Sequence, residues 1–107
     1  MSFIIEGSEG KDWQATGWIF DAFAEKFVPV LRKYSDAMAI ELEDAIAAGI
    51  GYADFSAFFD DHENQQKWTQ AVRETVEQLV KDGDGDWQDK SKFDDFIEKA
   101  EEIASIV

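Results

Sequence analysis

The sequence contains no cysteine, one histidine, one proline and only ten basic residues. Without cysteine the chain forms no disulfide, carries no thiol nucleophile and offers no thiolate to zinc. Because His62 is the only histidine, one subunit cannot build a metal site that needs two. No stretch approaches the ~18 apolar residues that cross a bilayer. The N-terminus has no basic segment before a long apolar run, so we expect no signal peptide and a cytoplasmic location.

Motifs for catalysis and for phosphate binding are also absent. There is no nucleophile elbow with an ordered serine, histidine and aspartate, and no glycine-rich phosphate loop. Carboxylate pairs abound, but they have no diagnostic value in a chain with 24 acids. No basic patch offers a surface to nucleic acid. We therefore expect a non-enzyme that uses no cofactor and binds neither nucleic acid nor membranes directly.

The 107 residues are enough for one hydrophobic core. Hydrophobic residues make up 45% of the chain and aromatic residues 14%, which is too much apolar material for a disordered acidic tail. Four Trp and nine Phe fill a core of this size with few side chains, because each ring buries a large area. The composition predicts a single acidic helical domain over residues 1–107.

Helical spacing of apolar residues predicts an all-α bundle of about four helices with a short extended N-terminal arm. The arm covers residues 1–10, with one short strand as the alternative. Predicted helices follow over about 11–34, over about 36–48 with Ser35 as N-cap, over 64–81, and over the C-terminal segment that a capping box of Ser91 and Asp94 begins. Pro29 either kinks the first helix or opens a new one.

Acidity is concentrated in two blocks. The net charge is −14; residues 36–63 carry eight acids and no base, and residues 82–102 carry nine acids and three bases. A surface of this kind repels nucleic acid and anionic membranes and attracts basic proteins. Adaptation to a saline environment is the other explanation, and the sequence does not decide between the two.

The last predicted helix presents carboxylates on one side. The acids that fall opposite its apolar stripe are Asp94, Asp95, Glu98, Glu101 and Glu102. Like charges at i,i+4 cost a few tenths of a kcal/mol per pair, so a face of this kind indicates a docking surface for a basic protein. Carboxylates ~5–6 Å apart along a helix also imitate a row of DNA phosphates. The alternative is a solvated face that keeps the protein soluble.

Two tryptophans are candidate anchors for a partner. Trp18 falls about 160° from the centre of the apolar stripe on its helix, and Trp87 lies in an acidic loop. Exposed Trp is enriched at the energetic centre of interfaces. The alternative is that other elements cover both rings. Ile40 and Ile106 also fall off their stripes, which a homodimer interface would explain.

Two acidic segments resemble metal sites only in part. The loop Asp82-Gly83-Asp84-Gly85-Asp86 begins like a calcium loop, but the sixth position needs Gly and holds Trp87, and the twelfth needs Glu and holds Phe93. Asp60-Asp61-His62-Glu63 offers one imidazole among carboxylates, yet it also suits the start of a helix. We expect no metal site in either segment.

Together these features favour a non-enzymatic acidic binding protein that neutralises or inhibits a basic partner, as an antidote or immunity protein or as a DNA mimic does. The expected partner is a nuclease toxin or a nucleic-acid-binding protein, and electrostatic steering would make its capture fast. The alternatives are a self-associating adaptor or assembly subunit and a calcium-responsive helix–loop–helix module.

Overall fold

A computed structural model describes residues 2–83 and 90–107, which fold into four α-helices and a small three-stranded sheet. The elements, in order, are β1 (Ser2–Glu6), a 3₁₀ turn (Ser8–Gly10), β2 (Asp12–Thr16), α1 (Gly17–Tyr34), α2 (Asp36–Ala48), β3 (Tyr52–Asp54), a 3₁₀ turn (Phe58–Asp60), α3 (His62–Asp82), α4 (Lys90–Glu102) and a 3₁₀ turn (Ile103–Ile106). None of the helices in the described ranges is long and apolar enough to cross a membrane.

The sheet corrects the prediction of an all-α fold. β1 pairs antiparallel with β2, with Ile5 opposite Trp13, so residues 12–16 form a strand and α1 begins only at Gly17. Trp13 falls on the apolar stripe of α1 if that helix is extended back to residue 11. It also fits the inner face of a strand, because polar and apolar residues alternate along β2. The antiparallel pairing to β1 selects the strand. The alternative of one short strand in the N-terminal segment is confirmed by β1, which forms a hairpin with β2.

β1 is the central strand of the sheet. β3 pairs with it in parallel, and Ala53 lies opposite Ile5. The inner face of the sheet packs on α1, where the rings of Phe3 and Phe20 stack with centroids 3.8 Å apart. Pairing between segments so far apart in the sequence has no local signature, which is why helical spacing did not reveal β3.

The predicted bounds of α2 and the predicted helix over 64–81 are confirmed. The Ser35 hydroxyl accepts the N–H of Met38 at 3.2 Å, and Gly49 ends α2 in the left-handed conformation with φ +68°. Asp61 caps α3 by accepting the N–H of Glu63 at 2.9 Å. α1 runs unbroken through Pro29, which is exposed, so no second helix begins there.

The centre of the core is an aromatic cluster around Trp68. Its ring lies 5.0 Å from Phe27, 5.0 Å from Phe55 and 5.3 Å from Phe59, measured between centroids. Trp68 is fully buried, and its indole N–H donates to the carbonyl of Ile103 at 3.0 Å. The polar group of the largest buried side chain is therefore satisfied inside the core.

Indole donors anchor the C-terminal segment. The last four carbonyls of a helix lack partners within it. Near the end of α4 the indole N–H of Trp13 donates to the carbonyl of Lys99 at 2.8 Å, and Trp68 does the same for Ile103. Two rings from separate elements thus fix α4 and the final turn against β2 and α3.

Two predictions about the C-terminal segment were wrong. Ser91 lies inside α4, so it is not the N-cap residue. Ile106 is only 1% exposed, because the chain tightens into a 3₁₀ turn in which residues three apart lie on the same side. Ile106 therefore shares the buried side with Ile103 and packs on Gly7, where an added Cβ would lie 2.0 Å from the Ile106 carbonyl oxygen.

Candidate interaction surfaces

The acidic face of α4 is open to solvent. Its inner side is buried through Phe93, Phe96 and Ala100. The five predicted partner-binding carboxylates are all on exposed residues: Asp94, Asp95, Glu98, Glu101 and Glu102. The apolar and acidic residues of α4 thus lie on opposite sides of the helix, as their spacing in the sequence predicts.

Most of these carboxylates lack a compensating cation. Glu102 pairs with Lys99 at 3.3 Å. Within residues 2–83 and 90–107, no Lys or Arg lies within ion-pairing distance of the other four. Glu98 stands four residues from both Asp94 and Glu102, a spacing at which like charges repel. The face therefore carries a concentrated negative charge, and repulsion between neighbouring carboxylates destabilises the helix slightly.

The acidic block of residues 36–63 contributes to local structure as well as to charge. Its eight acids are all exposed. Arg32 pairs with Asp36 and Glu43, which ties α1 to α2. Asp54 accepts the N–H and the hydroxyl of Ser56 at 2.9 and 2.6 Å, and these hydrogen bonds lower the pKa of Asp54. This block surrounds α2 and β3, whereas the other acidic face lies on α4, which packs on α3.

Trp18 lies at one end of a long cleft. It is 53% exposed, as its position off the apolar stripe of α1 predicts. The cleft encloses about 620 Å³ between the start of α1, the end of α2 and the sheet. Its lining is Ser2, Phe3, Thr16, Gly17, Trp18, Phe20, Asp21, Ile46, Gly49 and Gly51. None of the α4 carboxylates belongs to it, so the structure does not bring together the two groups of predicted site residues.

A second cleft continues the first between α1 and α2. It encloses about 530 Å³ and shares Asp21 and Ile46 with the Trp18 cleft. The α1 residues that line it follow helical spacing: Asp21, Ala24, Glu25, Val28, Pro29 and Arg32. We call the two clefts together the α1–α2 groove. The sequence alone does not predict this groove, although the helical spacing of these α1 residues indicates a second face.

More apolar side chains are exposed around α2. Ile40 is 52% exposed, Ile46 37%, Ile50 69% and Tyr52 39%. Ile46 is exposed although it shares α2 with the buried Met38 and Leu42. Of these side chains, Ile46 lines both clefts of the α1–α2 groove.

The metal candidates give no site among the described residues. No group of three or more histidine and carboxylate side chains within 2–83 and 90–107 is arranged to hold a metal ion. Nε2 of His62 lies 3.3 Å from the amide nitrogen of Gln66, and Asp61 caps α3. Residues 84–86 of the calcium-loop candidate and Trp87 lie outside the described residues.

The shifted pKa values have structural causes. Glu74 on α3 accepts Lys33 Nζ at 2.6 Å and the Tyr34 hydroxyl at 3.0 Å from α1. The bond from Lys33 lowers the pKa of Glu74, and the bonds to Glu74 raise the pKa of Lys33 and of Tyr34. These groups hold α1 against α3, and their shifts need no catalytic explanation.

Comparison of the chain with protein-family models, with curated proteins and with solved structures gave no match. The function is therefore argued from the surfaces described above.

Proposed function

We propose that the protein is a non-enzymatic acidic binding protein that engages a basic partner protein and blocks its basic site. The observation that supports this most is the exposure of five carboxylates on one face of α4, of which only Glu102 has a cation beside it in the described part of the chain. Without selection for this charge we would expect Lys at some of these positions, because neighbouring like charges destabilise a helix.

Charge also defines the class of partner. An acidic face on a chain with a net charge of −14 attracts cationic surfaces and increases the rate of encounter with them. Proteins that bind nucleic acid carry such surfaces, so a nuclease toxin or a nucleic-acid-binding factor is the partner we propose, with the carboxylates of α4 standing where phosphates bind. Direct binding to nucleic acid or to anionic membranes is disfavoured by the same charge. We place the protein in the cytoplasm, where such partners meet nucleic acid.

Charge reversal on α4 tests this function. The wild type and a Glu98→Lys/Glu102→Lys variant would each be used to capture proteins from the host lysate at about 50 and about 500 mM salt, between which screening differs several-fold in range. We expect one basic protein with the wild type at low salt, less of it at high salt, and at least about tenfold weaker binding to the variant, because close charge pairs contribute more than about 1.4 kcal/mol.

An Asp60→Lys/Glu63→Lys variant is the matched control. It makes the same change in net charge around the start of α3, where both residues are exposed and lie outside both clefts. Equal weakening by both variants would show that only total charge matters and would remove α4 from the interface. Unchanged binding to the α4 variant would contradict its role outright, and failure to capture any basic protein at either salt would count against the function.

Self-association is the second candidate, and the exposed Trp18, Ile40 and Ile50 favour it. An adaptor or assembly subunit would cover these side chains with another copy, and its charge would serve solubility. Sedimentation equilibrium up to about 100 µM, where weak dimers with a Kd in the micromolar range form, separates the two candidates. A strict monomer would leave no self-assembly to explain.

A further inference from the structure

The α1–α2 groove has the dimensions of a helix-binding site. Its two clefts join at Asp21 and Ile46, and its α1 side extends from Trp18 to Arg32. At about 1.5 Å per residue this side is about 21 Å long, the length of a helix of about four turns. An amphipathic helix binds such grooves through apolar residues at helical spacing.

Apolar side chains line both clefts of the groove. Trp18 and Ile46 line the Trp18 cleft, and Ala24, Val28 and Pro29 line its continuation. Trp18 presents a large ring that is half open to solvent. A Trp at the mouth of an apolar cleft is the residue type that most often dominates a binding free energy.

The rim of the groove is acidic. Asp21 and Glu25 lie four residues apart on α1, and both are exposed. Neither has a cation within ion-pairing distance in the described residues, and the one cation that lines the groove, Arg32, is already paired with Glu43 and Asp36. An occupant with Lys or Arg beside its apolar stripe would complement this rim.

The same charges disfavour a second copy as the occupant. A twofold interface places the same patch of both copies together, so Asp21 and Glu25 would approach their own equivalents. Each copy also carries a net charge of −14. Burying uncompensated carboxylates against each other is costly, whereas a basic segment would neutralise them.

We propose that the α1–α2 groove binds a basic amphipathic helix of the partner protein, with an apolar residue of that helix against Trp18 and its cations at Asp21 and Glu25. This inference rests on the proposed function for the charge of the partner. It goes beyond that function in placing the apolar contact between α1 and α2, on a surface separate from the α4 carboxylates.

A designed peptide tests the groove directly. The probe is a helical peptide of about 15 residues, with Leu at i, i+3, i+4 and i+7 and Lys elsewhere, which matches the groove length. It would be added to the ¹⁵N-labelled full chain at about 50 mM salt. We expect NMR shift changes at the Trp18 indole and in 21–32 and 43–50. Trp18→Ala should weaken binding by at least about tenfold, and Asp21→Lys/Glu25→Lys by a similar factor.

Three controls make each outcome decisive. Val80→Ala removes an exposed apolar side chain from α3, outside the groove, and should leave binding unchanged. Glu98→Lys/Glu102→Lys should leave peptide binding within about twofold, because these two α4 residues do not line the groove and their charges act on it only through a screened field. A scrambled peptide of the same composition should bind more weakly, because it has no apolar stripe.

Other results would overturn the groove proposal without touching the proposed function. Equal binding of the scrambled peptide, or shifts confined to α4, would show a charge-only contact. Absence of binding by either peptide would remove the groove as a receptor for basic helices, while capture of a basic protein through α4 would still stand. A dimer that Trp18→Ala dissociates would identify a second copy as the occupant.

Discussion

At the scale of single residues, a hydroxyl and a carboxylate join the two parallel strands of the sheet. Tyr52 on β3 donates to the carboxylate of Glu6 on β1. This bond raises the pKa of Tyr52 to about 12. Because β3 has only three residues, a side-chain bond of this kind adds to a short backbone ladder at the edge of the groove.

The tyrosine titration should show this contact. The folded pKa of Tyr52 lies above its ordinary value of 10.0, so its contribution to stability is present below pH 10 and is lost as the pH rises towards 12. We expect phenolate absorbance to show no tyrosine with an ordinary midpoint, since the pKa of Tyr34 is raised as well. Glu6→Ala should bring one midpoint back towards 10, and Tyr52→Phe should leave only Tyr34. An unchanged titration in Glu6→Ala would contradict the hydrogen bond.

At the scale of elements, side-chain caps set where the helices begin. Ser35 both follows the last residue of α1 and caps α2, so one residue ends one helix and starts the next. Asp61 performs the capping role for α3. The angle between α1 and α2, and with it the groove, depends on this junction at Ser35.

Loss of the Ser35 cap should be measurable. Ser35→Ala removes the acceptor of the Met38 N–H and should lower the free energy of unfolding by about 1 kcal/mol. Ser35→Asn restores an acceptor at the same position and should recover most of that loss. Urea unfolding of the three proteins checks both expectations. Equal loss in both variants would mean that the packing of the junction matters, not the cap.

At the scale of the whole molecule, charge acts against compactness. The chain has 24 acids and ten bases, and only a few of the described acids have ion pairs. The molecule tolerates this because apolar residues from every helix and the sheet join in one buried cluster. Stability therefore comes from the core.

Salt should therefore stabilise the fold. From about 0.01 to about 1 M NaCl the Debye length falls from about 30 to about 3 Å, which screens the repulsion among the carboxylates. We expect the Tm to rise over this range in calorimetry. Glu98→Lys/Glu102→Lys should raise the Tm at low salt and reduce the dependence on salt. A Tm that falls with salt would show that attractive ion pairs outweigh the repulsion.

The candidate surfaces were only partly predictable. The acidic face of α4 was readable because residues three and four apart on a helix share a side whatever the helix packs on. The exposure of Trp18 was readable for the same reason. The groove was not predictable, because it forms only where the second face of α1 lies beside the end of α2. The sequence of one helix does not specify the position of the other.

The sequence by itself determined α2, α3, the buried side of α4 and the caps at Ser35 and Asp61, because those features depend on contacts within a few residues. Tertiary structure decided the rest. Asp12–Thr16 became a strand because β1 pairs with it, and Tyr52–Asp54 because β1 lies beside it. Ile106 became buried because the last turn tightens against Gly7, and Ile46 remained partly open in the cleft between α1 and α2. Each of these outcomes depends on a partner segment that local spacing does not encode.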